Sequence, residues 1–364
     1  MKKNEKTDYT IPPSLNYIAG LSWRLLAIAG VSAVFVFLVI QLKTVVIPFL
    51  VALLITAMLY PLVQWLVKRG LKRGLAVATG LVVLLVTVSG MGYLVVQQVR
   101  SAYPDLRERS EVILVDARSA LSEEPFNISA DDVDKYAADV VEYAQENSGV
   151  LASGLVSAGS AATNVVTGAF LVLFAVIFLL LDGKNIWRWT TTLFPKQSRK
   201  KLFDAGINGW RTLNNFVKSQ VAVAGVDAVG IGLGALLLQV PLAIPIAVVV
   251  FLGSFIPVVG AIITGALAVI IALVFNGWVA ALLMLGVVLV VQFLESQILQ
   301  PFLIGKAVSV HPLAIVLAVA VGALIAGIPG ALFSVPIVAV INVMTASLMG
   351  DYEKPVTSKL KKKT

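Results

Sequence analysis

Two long apolar segments of this chain are each interrupted by proline and glycine, and these interruptions constrain the fold more than any other feature. Residues 241–275 contain the sequence SFIPVVG at 254–260, and residues 312–349 contain GIPG at 327–330. As single helices they would be about 52 Å and 57 Å long at about 1.5 Å per residue, whereas a bilayer core is about 30 Å thick. Each is therefore predicted to fold back at its break, as a re-entrant hairpin or as two short spans with a tight turn.

The breaks free backbone polar groups at membrane depth, because proline lacks an amide donor and glycine admits conformations that end a helix. Such groups are expected to be buried in protein or to line a wet cavity. Paired breaks in two corresponding units also indicate a transporter binding site. An ordinary kinked helix is the alternative, since both residue types are common in membrane helices. The candidate binding residues at the breaks are Ser254, Pro257, Gly260, Pro329 and Gly330.

Composition is typical of a polytopic membrane protein. Of the 364 residues, 59% are hydrophobic and only 13% are charged, compared with about 25% charged in soluble domains. The absence of cysteine and the single histidine exclude disulfides, thiol nucleophiles and a multi-histidine site within one chain. No GxxxxGK[ST] loop is present for ATP hydrolysis. We therefore expect no catalytic residue, metal or cofactor, and a protein that is not an enzyme.

Hydropathy and charge divide the chain into five parts. Residues 1–99 hold a polar head and three apolar spans, and residues 100–153 form an acidic helical insert with twelve acidic residues against five basic ones. Residues 154–218 hold a fourth span and a basic, aromatic-rich segment expected at the membrane interface. Residues 219–350 form the predicted transport core, and residues 351–364 are a basic tail. Since basic segments stay cytoplasmic, both termini are predicted to be cytoplasmic and the insert extracellular.

The predicted fold is all-α, with about eight transmembrane segments in a bacterial plasma membrane. Span five (about 219–239) with the first hairpin and span seven (278–299) with the second hairpin have opposite predicted orientations, which makes them an inverted-topology pair. The insert has an apolar stripe that needs a cover, and a fixed scaffold would support a moving core, so we predict a homo-oligomer. The net charge of +8 is attributed to cytoplasmic segments beside the membrane, and no nucleic-acid partner is expected.

Two carboxylates lie within the core spans. Asp227 lies about two turns into the fifth span, and Glu295 lies near the inner end of the seventh, beside Gln292. A charge at membrane depth is costly, so it is expected to face an aqueous path, a partner or a cation, or to be protonated. For Glu295, snorkelling to the interface is the alternative. His311, just before the second hairpin, is interpreted as a loop residue rather than a proton site.

The second half of the chain also carries a series of short motifs. They are IPVVG at 256–260, QFLE at 292–295, QP at 300–301, GK at 305–306, PL at 312–313 and GALFSVP at 330–336. This pattern resembles the AI-2E family of transporters, over nearly the whole chain. The resemblance implies a membrane permease with about seven to eight spans. The positions to which it gives a role are Pro257, Gly260, Gln292, Glu295, Pro301, Gly305, Pro312 and Gly330.

The predicted function is that of a secondary transporter or exporter, which moves a small polar solute by alternating access coupled to an ion gradient. The resemblance implies the furanone signal autoinducer-2 as one solute, and sodium or lithium in exchange for protons in other members. A monovalent cation/proton antiporter is therefore the first alternative, and an uncoupled channel or membrane scaffold is the second. Glutamine, serine, threonine and one acid suit a hydroxylated molecule and a cation equally well.

Overall fold

The computed structural model describes residues 13–122, 158–256, 259–299 and 312–350. Throughout these ranges the regular structure is helical and contains no β-strand, so the all-α prediction is confirmed. The helices are α1 (Pro13–Gln41), α2 (Lys43–Lys68), α3 (Arg73–Ser122), α4 (Ala158–Thr192), α5 (Lys196–Leu237), α6 (Ala243–Gly253), α7 (Val259–Leu294) and α8 (Pro312–Met349). A short π-helical segment, Glu295–Leu299, directly follows α7.

Six of the described helical stretches are long and apolar enough to cross a membrane. They are Lys43–Lys68, Arg73–Ser101, Thr167–Thr192, Lys196–Leu237, Val259–Leu299 and Leu313–Met349. The prediction of a polytopic membrane protein is thereby confirmed. The last two stretches are 41 and 37 residues long, and each contains a reversal, so the number of helical stretches is not the number of crossings.

The chain divides into two compact units, Met1–Ile47 and Pro48–Thr364. In the first unit, helical backbone hydrogen bonds lie on both sides of Leu42. Its amide donates to the Leu38 carbonyl and its carbonyl accepts from the Val46 amide, each at 2.9 Å. Leu42 is thus the one residue between α1 and α2.

In the second unit, α2, α3 and α4 share a core of small and branched apolar side chains. Its buried members are Ala52, Leu59, Val63, Ala76, Val77, Val176 and Leu180. α4 bends at Asp182 (φ −140°, ψ 18°), two residues after Leu180. The Arg73 guanidinium donates to the Leu180 carbonyl from Nε at 3.0 Å and from Nη2 at 2.8 Å. Arg73 therefore ties the start of α3 to α4 just before the bend.

α3 is longer than the sequence indicates. It continues for 50 residues through position 99, where the predicted third span ends and the acidic insert begins, although only Arg73–Ser101 is apolar enough to cross a membrane. The insert therefore begins as a helical extension of the span. The rest of the predicted helical insert lies outside the described residues.

α5 is the central helix of the second unit. The predicted boundary at residue 218, between the basic interfacial segment and the fifth span, falls inside α5, because no proline interrupts Lys196–Leu237. The first half of α5 packs against α2 and α8, with Leu213 beside Ala57 and Val340 in one cluster. The basic segment is therefore the first half of a long packed helix.

The second half of α5 packs against α7 through glycines. A Cβ at Gly230 would lie 2.8 Å from Cγ2 of Val291, and a Cβ at Gly234 would lie closer still to Cγ1 of Val287. As residue numbers rise along α5 they fall along α7, so the end of α7 is antiparallel to α5. The inverted-topology prediction requires the same antiparallel direction for the fifth and seventh spans.

Candidate functional site

The first broken segment folds back on itself. Its first arm is α6, and residues 259–276 of α7 form its return arm. Asn276, at the end of the return arm, donates from Nδ2 to the carbonyls of Leu238 (3.3 Å) and Gln239 (3.4 Å), which lie just before the segment. α6 has only 11 residues, about 16 Å at 1.5 Å per residue, which is too short to cross a bilayer core. The length favours a re-entrant hairpin over two short spans.

A second reversal follows at Gly277. Its backbone (φ 83°, ψ −178°) lies in a region that favours glycine, and Gly265 lies against Val288 on the far side of the turn, where a Cβ would be 2.9 Å from Cγ1 of the valine. The rest of α7 then runs back along α5. α7 is thus a return arm followed by the predicted seventh span.

The first break is held by close backbone contacts. The Ile256 amide donates to the Gly253 carbonyl at 2.8 Å, and the Gly260 amide donates to the Ile256 carbonyl at 2.9 Å. A Cβ at Gly260 would overlap the Gly253 carbonyl group, so this approach of the two arms requires glycine at position 260. Pro257 lies outside the described residues.

The second broken segment, α8, reverses at its predicted break. Ala326 (φ −137°, ψ 18°) and Gly327 (φ 63°, ψ −143°) leave the helical conformation. On the two sides of the turn, Gly322 and Gly330 approach so closely that a Cβ on either would overlap the carbonyl of the other. Ser334 donates from Oγ to the Gly330 carbonyl at 2.6 Å. Both broken segments therefore fold back where the proline and glycine pattern predicts.

The tip of the first hairpin packs against the second hairpin. Ile256, in the first break, lies against buried Val319, Ala331 and Val335, with Phe216 of α5 beside them. Val319 lies before the second break and Ala331 lies after it, so the first tip touches both arms of the second hairpin. The packing brings the two breaks into one region beside the middle of α5.

Asp227 of α5 is joined to the first break by Ser254. Asp227 is only 1% exposed, and Ser254 Oγ lies 3.0 Å from its Oδ2 and 2.8 Å from the Val250 carbonyl. Gln220, two turns earlier on α5, donates from Nε2 to the Ser254 carbonyl at 2.5 Å. α5 therefore holds the break through both the backbone and the side chain of Ser254.

One oxygen of Asp227 remains without a hydrogen bond. Oδ1 is fully buried and, in the part of the chain that the structure describes, has no hydrogen-bonding partner. A buried polar atom in that state is costly, and a buried charge is more so. The cost of burying Oδ1 falls when it binds a proton, a water molecule or a cation. Asp227 is therefore a candidate residue for binding one of these.

Glu295 lies across from Asp227. Gly230 and Val291 face each other across the two antiparallel helices. Asp227 lies about one turn before Gly230 and Glu295 about one turn after Val291, so both acids lie about one turn from this contact in the same direction. Glu295 is half-buried and is the first residue of the π-helical segment, which contacts α5. π-Helical turns are frequent at functional sites. The two acids singled out in the sequence thus lie on facing stretches of neighbouring helices.

The other predicted site residues fall into three groups. Gln292 is half-buried one turn before Glu295, and Pro329 lies in the second turn. Pro312 is the first residue of α8, where the missing proline amide costs no helical hydrogen bond. Pro301 and Gly305 lie outside the described residues, as does the predicted loop residue His311. In the described ranges there is no cluster of three or more acidic or histidine residues that could hold a metal ion.

Gln220 is the functional candidate that sequence reasoning missed. The available signal was its position, because Gln220 and Asp227 are seven residues apart, which places both on one face of α5. An amide and a carboxylate on one face of an apolar helix indicate a shared polar surface. Gln220 contacts the carbonyl of Ser254, 34 positions later in the chain. The local sequence around Gln220 does not predict that contact.

These features define a polytopic helical membrane protein with two fold-back hairpins that meet beside a buried carboxylate. Residues 25–350 match the family described as AI-2E family transporter. The chain belongs to that family and is a membrane transport protein, so the resemblance predicted from the sequence is confirmed.

Similar proteins carry transport names and are covered over most of their length. The chain is 37% identical over 343 residues to "Putative transport protein MT0215" of Mycobacterium tuberculosis (strain CDC 1551 / Oshkosh), which covers 94% of each chain. It is 26% identical to "Putative transport protein YrrI" of Bacillus subtilis (strain 168), over 89% of this chain and 95% of the relative. It is 22% identical to "AI-2 transport protein TqsA" of Escherichia coli (strain K12), over 84% and 87%.

Proposed function

We propose that this protein moves a small polar solute across the membrane by alternating access, coupled to an ion gradient through Asp227 and Glu295. The observation that carries the proposal is the unpaired Oδ1 of Asp227, buried beside the tip of the first hairpin. A group of this kind is costly unless it binds something. In many transporters the substrate and ion sites lie where two broken helical units meet.

The tip of the first hairpin is the proposed moving part, because the arm α6 packs with α5 in a buried apolar core. The tip is held to α5 by two side chains, Gln220 and Asp227, which both contact Ser254. Among the described residues, the tip contacts the second hairpin through the apolar packing of Ile256, which has no directional bonds to break. A change of charge at Asp227 would weaken or strengthen its bond to Ser254, so ion binding and hairpin position are coupled through one hydroxyl group.

The two carboxyl groups supply the proposed coupling. Two carboxylates on facing helices in an apolar surrounding repel each other, so one proton or one monovalent cation held between them lowers the free energy. The half-buried Glu295 would be the member that exchanges with solvent. The buried Asp227 would be the member that transmits the change to Ser254.

A small hydroxylated solute is the proposed cargo. The relative from Escherichia coli is named for the transport of AI-2, and the freed backbone groups at both breaks, with Gln292 and Ser254, offer donors and acceptors for hydroxyl groups. An autoinducer-2-like molecule has that chemistry. Export is the proposed direction, as the family resemblance implies.

Monovalent cation/proton antiport is the second candidate function. It is favoured by the same buried carboxylate oxygen, because Asp227 Oδ1 together with Glu295 offers oxygen ligands to a small cation. An uncoupled channel is distinguished from both by its flux, which would rise linearly with solute concentration and would not respond to proton or sodium gradients.

The test is flux into liposomes that contain the purified protein, with proton and sodium gradients imposed separately. We expect gradient-dependent transport of an autoinducer-2-like solute, or of sodium or lithium, that Asp227→Asn reduces at least tenfold. The matched control is Asp204→Asn, which removes an exposed carboxylate from the same helix and should leave transport unchanged. Gradient-independent flux in the unmodified protein, or full coupled transport by Asp227→Asn, would refute the coupling role.

The cellular setting is part of the same proposal. Basic residues 196–201 at the start of α5 and the basic tail indicate cytoplasmic termini in a bacterial plasma membrane. The extended end of α3 and the rest of the acidic insert would lie outside the cell and support a homo-oligomer. Crosslinking in native membranes should give species larger than the monomer, and recovery of monomer alone would contradict the assembly.

A further inference from the structure

A cavity between α2 and α5 has no part in the proposed transport site. Its volume is about 350 Å³, and it is lined by Tyr60, Pro61, Gln64, Trp65, Lys68 and Lys218. Five of these residues lie on the last turns of α2, over about 12 Å of helix axis at about 1.5 Å per residue, and Lys218 comes from α5. The cavity is therefore an elongated groove with a lysine from each wall.

The groove carries positive charge with no acidic residue on the surrounding helix surface. α2 contains neither aspartate nor glutamate, and residues 205–226 of α5 contain none either. A third cation lies beside it, because the Arg69 guanidinium stacks over the Trp65 ring, 4.5 Å from the ring centroid. Cations that share a cavity repel one another unless an anion lies between them. The electrostatics of the groove thus favour an anionic ligand.

The remaining lining identifies the anion as part of a lipid. Tyr60 and Trp65 are residues that concentrate at membrane interfaces, where an apolar ring meets a polar edge. Lys68 ends an apolar helix long enough to cross a membrane and is followed directly by Arg69. At the membrane interface the abundant anion is a phospholipid phosphate, and basic pockets between membrane helices bind such headgroups. Pro61 and the exposed Trp65 ring provide apolar surface for the upper acyl chain.

We propose that this groove binds the phosphate of an anionic phospholipid between Lys68 and Lys218, with Gln64 as a hydrogen-bonding partner. The bound lipid would contact both α2 and α5. It would thereby join the group of α2, α3 and α4 to the helix against which both hairpins pack. A lipid is favoured over a free anion because the groove is partly apolar and the bilayer presents lipid at high local concentration. The proposal stands independently of the solute and of the coupling ion.

The test is native mass spectrometry of the full chain in detergent, titrated with phosphatidylglycerol and, separately, with phosphatidylcholine of the same acyl chains. We expect the Lys68→Gln, Lys218→Gln double variant to bind phosphatidylglycerol about 10- to 30-fold more weakly, since each lysine near an anionic headgroup strengthens binding about fivefold. Phosphatidylcholine binding should not change. Both lysines are exposed, so the variant should fold.

The matched control is the Lys184→Gln, Lys200→Gln double variant, which removes the same charge from exposed positions outside the groove. An equal loss in this control would show that general surface charge attracts the lipid and would overturn the assignment. Unchanged phosphatidylglycerol binding by the groove variant would overturn it as well. If inorganic phosphate at millimolar concentration displaces the lipid from the unmodified protein, the ligand is a free anion and the lipid assignment is wrong.

Discussion

Ser254→Ala is the substitution that most directly tests how the first hairpin is held. The Ser254 hydroxyl lies within hydrogen-bonding distance of two acceptors, Asp227 Oδ2 at 3.0 Å and the Val250 carbonyl at 2.8 Å. Since Oδ1 of Asp227 has no hydrogen bond among the described residues, the substitution would leave that buried carboxyl group with none. The Gln220 bond to the backbone carbonyl of residue 254 would remain.

The expected destabilisation follows from these contacts. A hydrogen bond to a charged group contributes about 1.5–3 kcal/mol, and a neutral one contributes about 1 kcal/mol. We therefore expect Ser254→Ala to lower the free energy of unfolding by about 2–3 kcal/mol. In an Asp227→Ala background only the local bond to Val250 remains to be lost, so the cost of the same substitution should fall to about 1 kcal/mol.

The assay is unfolding of the purified protein in mixed micelles with increasing dodecyl sulfate, followed by far-ultraviolet circular dichroism. Ser334→Ala is the matched control, because Ser334 makes the same local bond, to the Gly330 carbonyl four residues earlier, without a carboxylate. It should cost about 1 kcal/mol. Equal costs of Ser254→Ala with and without Asp227 would mean that the two residues do not interact, and the reasoning would fail.

Three further predictions follow from other contacts. Gly260→Ala should prevent the first hairpin from closing, because its Cβ would overlap the Gly253 carbonyl, and should cost at least about 3 kcal/mol; near-normal stability in the same micelle assay would contradict this. Arg73→Met should lower stability by about 1–3 kcal/mol by removing both bonds to the Leu180 carbonyl, whereas Lys72→Met should change it by less than about 0.5 kcal/mol. Glu295→Gln should insert normally but lose gradient dependence in liposomes, and gradient-driven transport with an unchanged pH profile would exclude Glu295 as the coupling residue.

The positions of the two breaks were predictable from the sequence because their causes are local. Proline and glycine disrupt a helix where they stand, and both segments exceed the thickness of a bilayer core. The structure therefore breaks at 254–260 and at 327–330, where the proline and glycine pattern of the sequence predicts the breaks. Asp227 and Glu295 were also identifiable, because a carboxylate within an apolar span stands out in composition alone.

Helix boundaries were less predictable where apolar residues give way to charged ones. The boundaries expected at residues 99 and 218 rest on a change from apolar to charged residues, which marks the edge of a membrane but not the end of a helix. α3 and α5 continue through these positions, because polar residues propagate a helix as well as apolar ones do.

What the sequence by itself determined is where the chain must bend, which segments are apolar enough to span, and which acids are buried. Only the tertiary structure decided that Ser254 reaches Asp227 across 27 residues, that Gln220 holds the same break, and that Ile256 packs against the second hairpin. Those contacts depend on the axial register of α5 against its neighbours, which is set where glycines such as Gly230 admit Val291. Register is a property of two packed surfaces, so hydropathy along one chain does not contain it.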